Sequence, residues 1–544
     1  MFSTQKMSSA FNNKVGKLRA LITRFDAASN ASKLTALQQL SKLELPTSRA
    51  LVHYADLLQF LQAFPPDRQT LKAAEHELSR ATRSLSRSAD RSNKALVNSG
   101  LPHTTYVSKF SHDLCSWLLQ DDGCRIQIDH FEDAEFDLNK VLAITLPSLE
   151  RSETTAGVGN MELFAALGVP REQEVRFLLD ELKKLDHAPR LRDLLFDGLG
   201  LYLRILPRNT SFSRSFNQIP TPRPFFHDGI LKEFDQRALL ECPLCDATEL
   251  DGPAREKIIR AVKRSMVLTD RETDPTTYLD ERTFRLFELE RGLSVAIYGM
   301  VPVRQLPLES YIGYTLFKNG FPAAYGGAWV FGQRADFGIN IFETFRGGES
   351  GYLLCQLLRV YRQVFKVAHF EIEPYQFGLD NPDGITTGAF WFYYRYGFRP
   401  TDQKLLELSE SESRKRKSRK EHRTSTRVLL RFTQSNMALK LSEGRQTGVY
   451  DITDRVKHLI RVRYKGDRAQ AETESTKSFL ARSGCRAVKD PVAIQVLKEV
   501  ALWAEATKQV DPEKLKLLVR MIHTKPTDPY RYQELLVRYF QKGE

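Results

Sequence analysis

Cysteine is scarce in this chain: six in 544 residues (Cys115, Cys124, Cys242, Cys245, Cys355 and Cys485). They are too few and too scattered for a disulfide framework, which points to a reducing compartment. No apolar run approaches the ~20 residues a membrane-spanning helix needs, so no membrane span is expected. The opening MFSTQKMSSAFNNKVGKLRALITRF has no secretory apolar core and no acidic residue before Asp26; an amphipathic leading helix is the expectation there. There is no internal repeat, which argues against a solenoid or propeller. Cys242-Pro-Leu-Cys245 is half of a zinc site without a second pair at suitable spacing, so no metal is expected.

What is present describes a globular protein. Hydrophobic residues make up 42% and charged residues 27%, enough apolar material for sizeable cores, and the chain is longer than one core usually serves. The formal charge of +13 has a local source, because RKRKSRKEHR at 414–423 holds seven Lys or Arg against one Glu. A solvated loop is the first expectation for such a run, and a nucleic-acid contact the alternative.

Hydrophobic periodicity divides the chain into four parts. Residues 1–200 read as a helical N-terminal domain, with apolar spacings of three and four in LTALQQLSKLEL and ALVHYADLLQFLQAF and one strand, CRIQIDHF, at 124–131. Residues 201–285 read as a linker rich in Pro, Ser and Arg followed by helices at 253–266 and 277–290, the second capped by Gly292. Residues 286–442 change period to β-branched and aromatic runs at 293–300, 311–318, 321–331 and 337–345. Asn319-Gly320 between two of these runs is a strong hairpin signal. A helix at 351–366, a strand at 367–374, the aromatic helix AFWFYYRYGF and a closing strand at 425–434 complete this part, with a basic insertion at 411–424. Residues 443–544 return to helices. The expected class is α/β: a mixed, mostly antiparallel sheet whose last strands are parallel, flanked by helical N- and C-terminal regions.

Chemistry concentrates at RGGESG, residues 346–351, where a strand passes into a helix. Glycines let the backbone curl, and the first helical amides lack internal partners at an electropositive end, so such a turn can cradle a phosphate. The order of meander, Gly-rich turn, helix, strand and a helix ending Tyr-Xaa-Xaa-Xaa-Gly-Phe resembles the GNAT superfamily of acyl-CoA N-acyltransferases over roughly 290–440. Ala389, Tyr393, Gly397 and Phe398 match that family's spacing, and Arg346 and Gly351 fit the ends of its pyrophosphate turn. Glu349 stands where the turn's first glycine is expected, so phosphate binding requires its carboxylate to turn outward or pair with an arginine. The helices usually found between the first two strands are replaced by VPVRQLPLES.

The resemblance implies acyl-CoA as cosubstrate. It would be held by Arg346, Gly347, Gly348, Ser350 and Gly351 and would lie where the fourth and fifth strands splay. Tyr393 is implied as the acid for the leaving thiolate, with the alternative that it is a core tyrosine. An amine acceptor, small molecule or peptide, must also lose a proton, and Glu343 on the fourth strand and Glu373 at the end of the fifth are the candidate bases. Segments such as PLESYIGYTLFKNGFPAAYGG and EPYQFGLDNPDGI also resemble a family of large bacterial proteins carrying this domain, which implies a cytoplasmic setting. Two other functions stay open: a binding or scaffold protein with an acyltransferase-like core that has lost CoA, and a nucleic-acid-associated protein using the basic run.

Overall fold

The computed structural model describes residues 2–87, 94–419, 421–444, 446–485 and 488–541. The chain forms two units, each assembled from separate stretches. The first holds Met1–Ile230, Asp251–Thr277 and Lys318–Pro322; the second holds Leu231–Leu250, Tyr278–Phe317 and Ala323–Glu544.

The first unit opens with helices Phe2–Leu21, Ala27–Leu40, Arg49–Ala63 and Arg68–Arg87. Pro65 and Pro66 separate the last two, as expected of residues that cannot continue a helix. A three-stranded antiparallel sheet follows, in the order β1 (Tyr106–Ser108), β3 (Leu201–Pro207), β2 (Cys124–Phe131). Strand β2 lies where its alternation places it, with Ile126 and Ile128 buried beside Leu203 and Ile205 of β3. The helical reading of 102–200 is corrected at β1, which is too short to show a period, and β3 lies just beyond that stretch. The hairpin signal at Asn319 and Gly320 holds, with φ of 44° and 84°. A Cβ on Gly320 would come within 2.5 Å of the Ile219 carbonyl, so this position needs glycine for space as well as for conformation.

The second unit is built on an eight-stranded, mostly antiparallel sheet. Its strands are β4 (Arg285–Leu289), β5 (Leu293–Tyr298), β6 (Ser310–Lys318), β7 (Phe321–Phe331), β8 (Arg334–Ile341), β9 (His369–Ile372), β10 (Arg399–Pro400) and β11 (Met437–Lys440). Their order is β10-β11-β9-β8-β7-β6-β5-β4. The mixed sheet and its parallel pair, β8 with β9, agree with the expected class.

Three local readings are corrected. Residues 277–290 are not a helix: β4 forms there because every residue from Arg285 to Leu289 pairs with β5, and this pairing overrides a weak helical pattern. Gly292 accordingly ends a tight turn, Glu290–Gly292, rather than a helix. Residues 426–432 are a helix, started by Ser425, whose side chain accepts from Val428 N; the closing strand is β11, further on. The basic run is not simply a loop, since helix Gln403–Ser418 extends through its first half, while Lys420 lies outside the described residues.

Helix Ser350–Phe365 covers the sheet face bearing Ala335, Phe337 and Phe370. Tyr361 on that helix stands edge-on to Phe337 at 5.5 Å, and its hydroxyl donates to the Ile312 carbonyl at 2.5 Å. Five C-terminal helices between Val449 and Gln541 gather around the buried Trp503. Their tie to the sheet is polar as well as apolar: Gln533 donates to the Val330 carbonyl at 2.7 Å and accepts from Gly332 N at 3.1 Å.

Lys525, fully buried, is a second tie. Its Nζ donates to the Glu309 carbonyl at 2.6 Å and the Ser310 hydroxyl at 2.8 Å. Burial draws its pKa down from 10.5 to about 7, with the Glu309 carboxylate opposing that change. Between those two values the unfolded chain holds a proton that the folded chain has released, so this group's contribution to stability grows as pH rises from about 7 to about 10. The Lys525→Met variant should therefore lose ground to the wild type as pH is raised through this window. Parallel Tm curves for the two proteins would refute the assignment.

Candidate active site

Strand β8 alternates sharply. Ala335, Phe337 and Ile339 turn to the helix-covered face, and Arg334 and Asp336 to the other. Its parallel ladder with β9 has three pairs: Arg334 with His369, Ala335 with Phe370, and Asp336 with Glu371. Beyond Asp336, β8 continues to Ile341 along β7 alone, as β9 ends at Ile372 and turns away at Pro374. The two strands thus part after three pairs, five residues short of the end of β8. The fourth strand is expected to run to residue 345, but its pairing with the fifth ends already at Asp336.

Tyr393 reaches this split. Its hydroxyl donates to Gln376 Oε1 at 3.3 Å, and Gln376 Nε2 lies 3.2 Å from where a Cβ of Gly338 would stand. Gly338 is the second residue of β8 past the last pair, and its carbonyl also accepts from the Tyr314 hydroxyl at 2.8 Å. Burial pushes the Tyr393 pKa up, so the phenol keeps its proton at neutral pH and has a hydrogen to donate. No sequence motif marks Gln376, because only the fold brings it beneath Tyr393.

The aromatic helix Ala389–Arg395 has two sides. On one, Phe390 stacks on Phe432 at 3.9 Å and Trp391 and Tyr394 lie against it. On the other, Tyr393 meets Phe398 and Phe392 meets Tyr396. Phe390 is buried, while Trp391 and Phe392, whose large apolar rings would suit a core, are only half-buried.

The Gly-rich turn is contiguous at the start of helix Ser350–Phe365. Arg346 and Gly347 are exposed, Gly348 and Ser350 half-buried, and Gly351 buried. Gly347 has φ of 92° with open space around it, a conformation that favours glycine. Glu349 is buried and faces away from this exposed rim: Arg291 donates to Glu349 Oε1 through Nη2 at 2.6 Å and Nε at 2.9 Å, and Leu231 N donates to the same oxygen at 3.1 Å. The carboxylate is therefore neutralised by an arginine. Gly351 has a different reason to be glycine, since a Cβ there would collide with the Tyr396 ring and hydroxyl. Phe234 in turn stacks on Tyr396 and stands edge-on to Tyr352.

The expected bases are less well placed. Glu343 is not on the fourth strand; it lies exposed in the short turn Glu343–Phe345 after β8. Glu373 sits exposed, immediately past β9. Among the described residues no hydrogen bond or ion pair joins either to Tyr393. A charged cluster that the sequence did not single out lies at the last ladder pair instead. Glu371 accepts from Arg334 at 2.5 Å and from Asn436 at 2.6 Å, and lies 3.3 Å from His369. Burial works to raise its pKa, but these partners hold it below the usual carboxylate range. Asp336, across the ladder, has Arg334 only at 3.5 Å. Burial raises its pKa, and the nearby charges of Glu371 and Glu373 add to the rise. The alternation of β8 puts Asp336 on the face opposite the apolar residues, half-buried, and nothing in that pattern singles it out.

Cys242 and Cys245 are exposed, and among the described residues no group of three or more His, Cys, Asp or Glu is placed to hold a metal. Among the described residues, no helix is long and apolar enough to cross a membrane. No family model, curated protein or solved structure matches the chain.

Arg291 makes its bonds to Glu349 from a left-handed backbone, φ 60°, a conformation that costs a non-glycine residue roughly 1 kcal/mol. Removing one partner of a buried ion pair leaves an uncompensated charge and typically costs about 3 kcal/mol or more. Arg291→Met should lower unfolding stability by about that amount in urea titrations, and Glu349→Gln added to it should recover much of the loss. Additive losses in the double variant would show that the two side chains do not act as a pair.

Proposed function

We propose that the second unit is an acyl-CoA-dependent N-acyltransferase acting on a primary amine. The observation that carries this reading is the early end of the β8–β9 ladder, with a buried tyrosine hydroxyl bonded at the split. The turn after β8 supports it: exposed Arg346 and the flexible backbone of Gly347 and Gly348 suit a pyrophosphate, and the Arg291 pairing answers the repulsion that Glu349 would otherwise exert.

In this reading the thioester supplies an activated acyl carbon, on which the amine forms a C–N bond as the C–S bond breaks. Asp336 or Glu373 takes the proton that the amine loses, directly or through water; the raised pKa of Asp336 makes its carboxylate a stronger base than an ordinary one. Tyr393 gives its proton to the departing thiolate, steadied by Gln376, and regains one from solvent. Glu343 is too far along the exposed turn to be preferred as base. Holding amine and thioester together in the split supplies much of the rate gain.

One observation favours a second reading. Tyr396 fills the space beside Gly351 that the resemblance assigns to a phosphate, and Phe234 packs over it. A core with its nucleotide turn occupied in this way would be a scaffold or binding module without CoA.

Thermal shift with acetyl-CoA and longer acyl-CoAs separates the two. A ligand that binds only the folded state at about a hundred times its Kd adds roughly 2.7 kcal/mol, an easily read rise in Tm. No shift with any acyl-CoA would favour the scaffold. Where a shift is found, Tyr393→Phe should preserve it while lowering kcat by about a hundredfold or more. Undiminished turnover in that variant would dismiss Tyr393 as the acid.

A further inference from the structure

A cavity of about 880 Å3 opens in the second unit behind the aromatic helix. Its walls come from the loop at Gly378–Asn381, the short helix Pro382–Thr387, Trp391, the end of helix Gln403–Ser418 and the start of helix Thr426–Phe432. Trp391 and Tyr393 are two residues apart on one helix, about 200° around its axis. The cavity is therefore on the reverse side from the β8–β9 split, and it does not depend on the acyltransferase reading.

Its floor is fixed. Trp391 Nε1 donates to the Thr424 hydroxyl at 3.1 Å, and the Arg416 guanidinium lies over the indole ring at 4.5 Å. Arg423 lines the same space. Burial together with the neighbouring charges of Arg423 and Arg395 makes the cationic form of Arg416 less favourable than usual. An opposing charge on Arg416 comes from Glu412, but that carboxylate is committed to Lys415 at 2.8 Å and His422 at 2.9 Å. Among the described residues neither Arg416 nor Arg423 has a carboxylate within ion-pairing distance. Two guanidinium groups lining one cavity with no carboxylate among the described residues in ion-pairing reach are matched by a dianionic oxyanion, which accepts from both forks at once.

The remaining walls describe what the anion is attached to. The volume is in the range of metabolite sites, roughly 300–1,000 Å3, and exceeds what a bare oxyanion fills. Ile385 and Leu429 give an apolar wall, while Asp380, exposed at the rim with φ of 53°, presents a carboxylate that suits hydroxyl donors. A purely hydrocarbon tail would leave that carboxylate without a use, and an extended polyanion would be repelled by it.

We propose that this cavity binds a hydroxyl-bearing organic phosphate of the sugar-phosphate or mononucleotide class, its phosphate on Arg416 and Arg423 and its hydroxyls toward Asp380. The basic run then serves a discrete pocket: Arg416 and Arg423 are two of its residues, brought together by the end of one helix and the approach to the next.

Isothermal titration of the whole protein with ribose 5-phosphate, AMP, ribose and inorganic phosphate tests this. Ribose 5-phosphate or AMP should bind, with inorganic phosphate at least about tenfold weaker and ribose undetected, as expected when charge and hydroxyls are read together. Preference for AMP over ribose 5-phosphate identifies a nucleotide site, and equal binding a sugar-phosphate site. Arg423→Gln, at an exposed position, should weaken binding about tenfold without changing the unliganded Tm, and Arg416→Gln should do the same and also alter Trp391 fluorescence. The proposal is overturned if neither ligand binds, if inorganic phosphate binds as tightly as the organic esters, or if both variants bind normally. It is also overturned if a single-stranded oligonucleotide binds far more tightly than AMP and loses that affinity in Arg423→Gln, which would make the surface a nucleic-acid contact. Acyl-CoA binding lost in the same variant would fold the cavity into the cosubstrate site and remove its independence. Conversely, a ribose 5-phosphate signal that survives in a protein blind to every acyl-CoA would uphold this cavity while the acyltransferase reading falls.

Discussion

The second unit depends on how briefly β8 and β9 stay together. Parallel strands joined by a helix ordinarily pair along their common length, yet here the ladder stops at Asp336 and Glu371. Two anchors hold the strands apart. At the last pair, Glu371 is bound by Arg334, Asn436 and His369, so β9 is fixed in register up to that point. Past it, the side chain of Gln376 stands beside Gly338, and glycine there leaves room for that approach. The first anchor could not be moved without leaving the Glu371 carboxylate unpaired.

The start of helix Ser350–Phe365 is secured in the same manner. Glu349 carries no cap hydrogen bond of its own to the helix, and its carboxylate instead ties the turn to Arg291 on the β4–β5 connection and to the amide of Leu231. Farther along, Arg359 ties the helix to Glu290 at 2.8 Å and to the Pro243 carbonyl at 2.6 Å. Two consecutive residues of one tight turn, Glu290 and Arg291, therefore hold the start and the middle of the helix. The charges along this seam balance in pairs, Arg291 with Glu349 and Arg359 with Glu290.

How much of this could be read beforehand follows from where the information is local. The β6–β7 hairpin is written in Asn319-Gly320, since two positive φ angles leave few residue choices. Strand β2 and the C-terminal helices show their period in the chain itself. Strand β4 does not, because its pairing with β5 supplies the ordering and RLFEL is short enough to suit either conformation. The helix at 426–432 was mistaken for a strand because VLL is apolar and β-branched at its start, whereas the Ser425 cap decides the matter. At the candidate site the Gly-rich turn and Tyr393 were legible as sequence motifs. Gln376, Asp336 and the Arg291–Glu349 pair were not, since each acquires meaning only across 17 to 58 positions of chain. Glu343 was misplaced by two residues past a strand end, the kind of boundary that hydrophobic pattern locates worst.

The division of the chain has a consequence for its synthesis. The first unit includes Lys318–Pro322, and the second begins at Leu231 and is interrupted twice by stretches of the first. Neither is a continuous segment, so the order in which they mature on the ribosome is not simply front to back. The leading helices can assemble early, but the first unit gains its last piece only after more than half of the 544 residues have emerged. During that interval the nascent chain already carries β4, β5 and β6, whose edges have yet to meet β7. A protein threaded in this way is exposed to chaperone capture for longer than one whose domains follow each other in line.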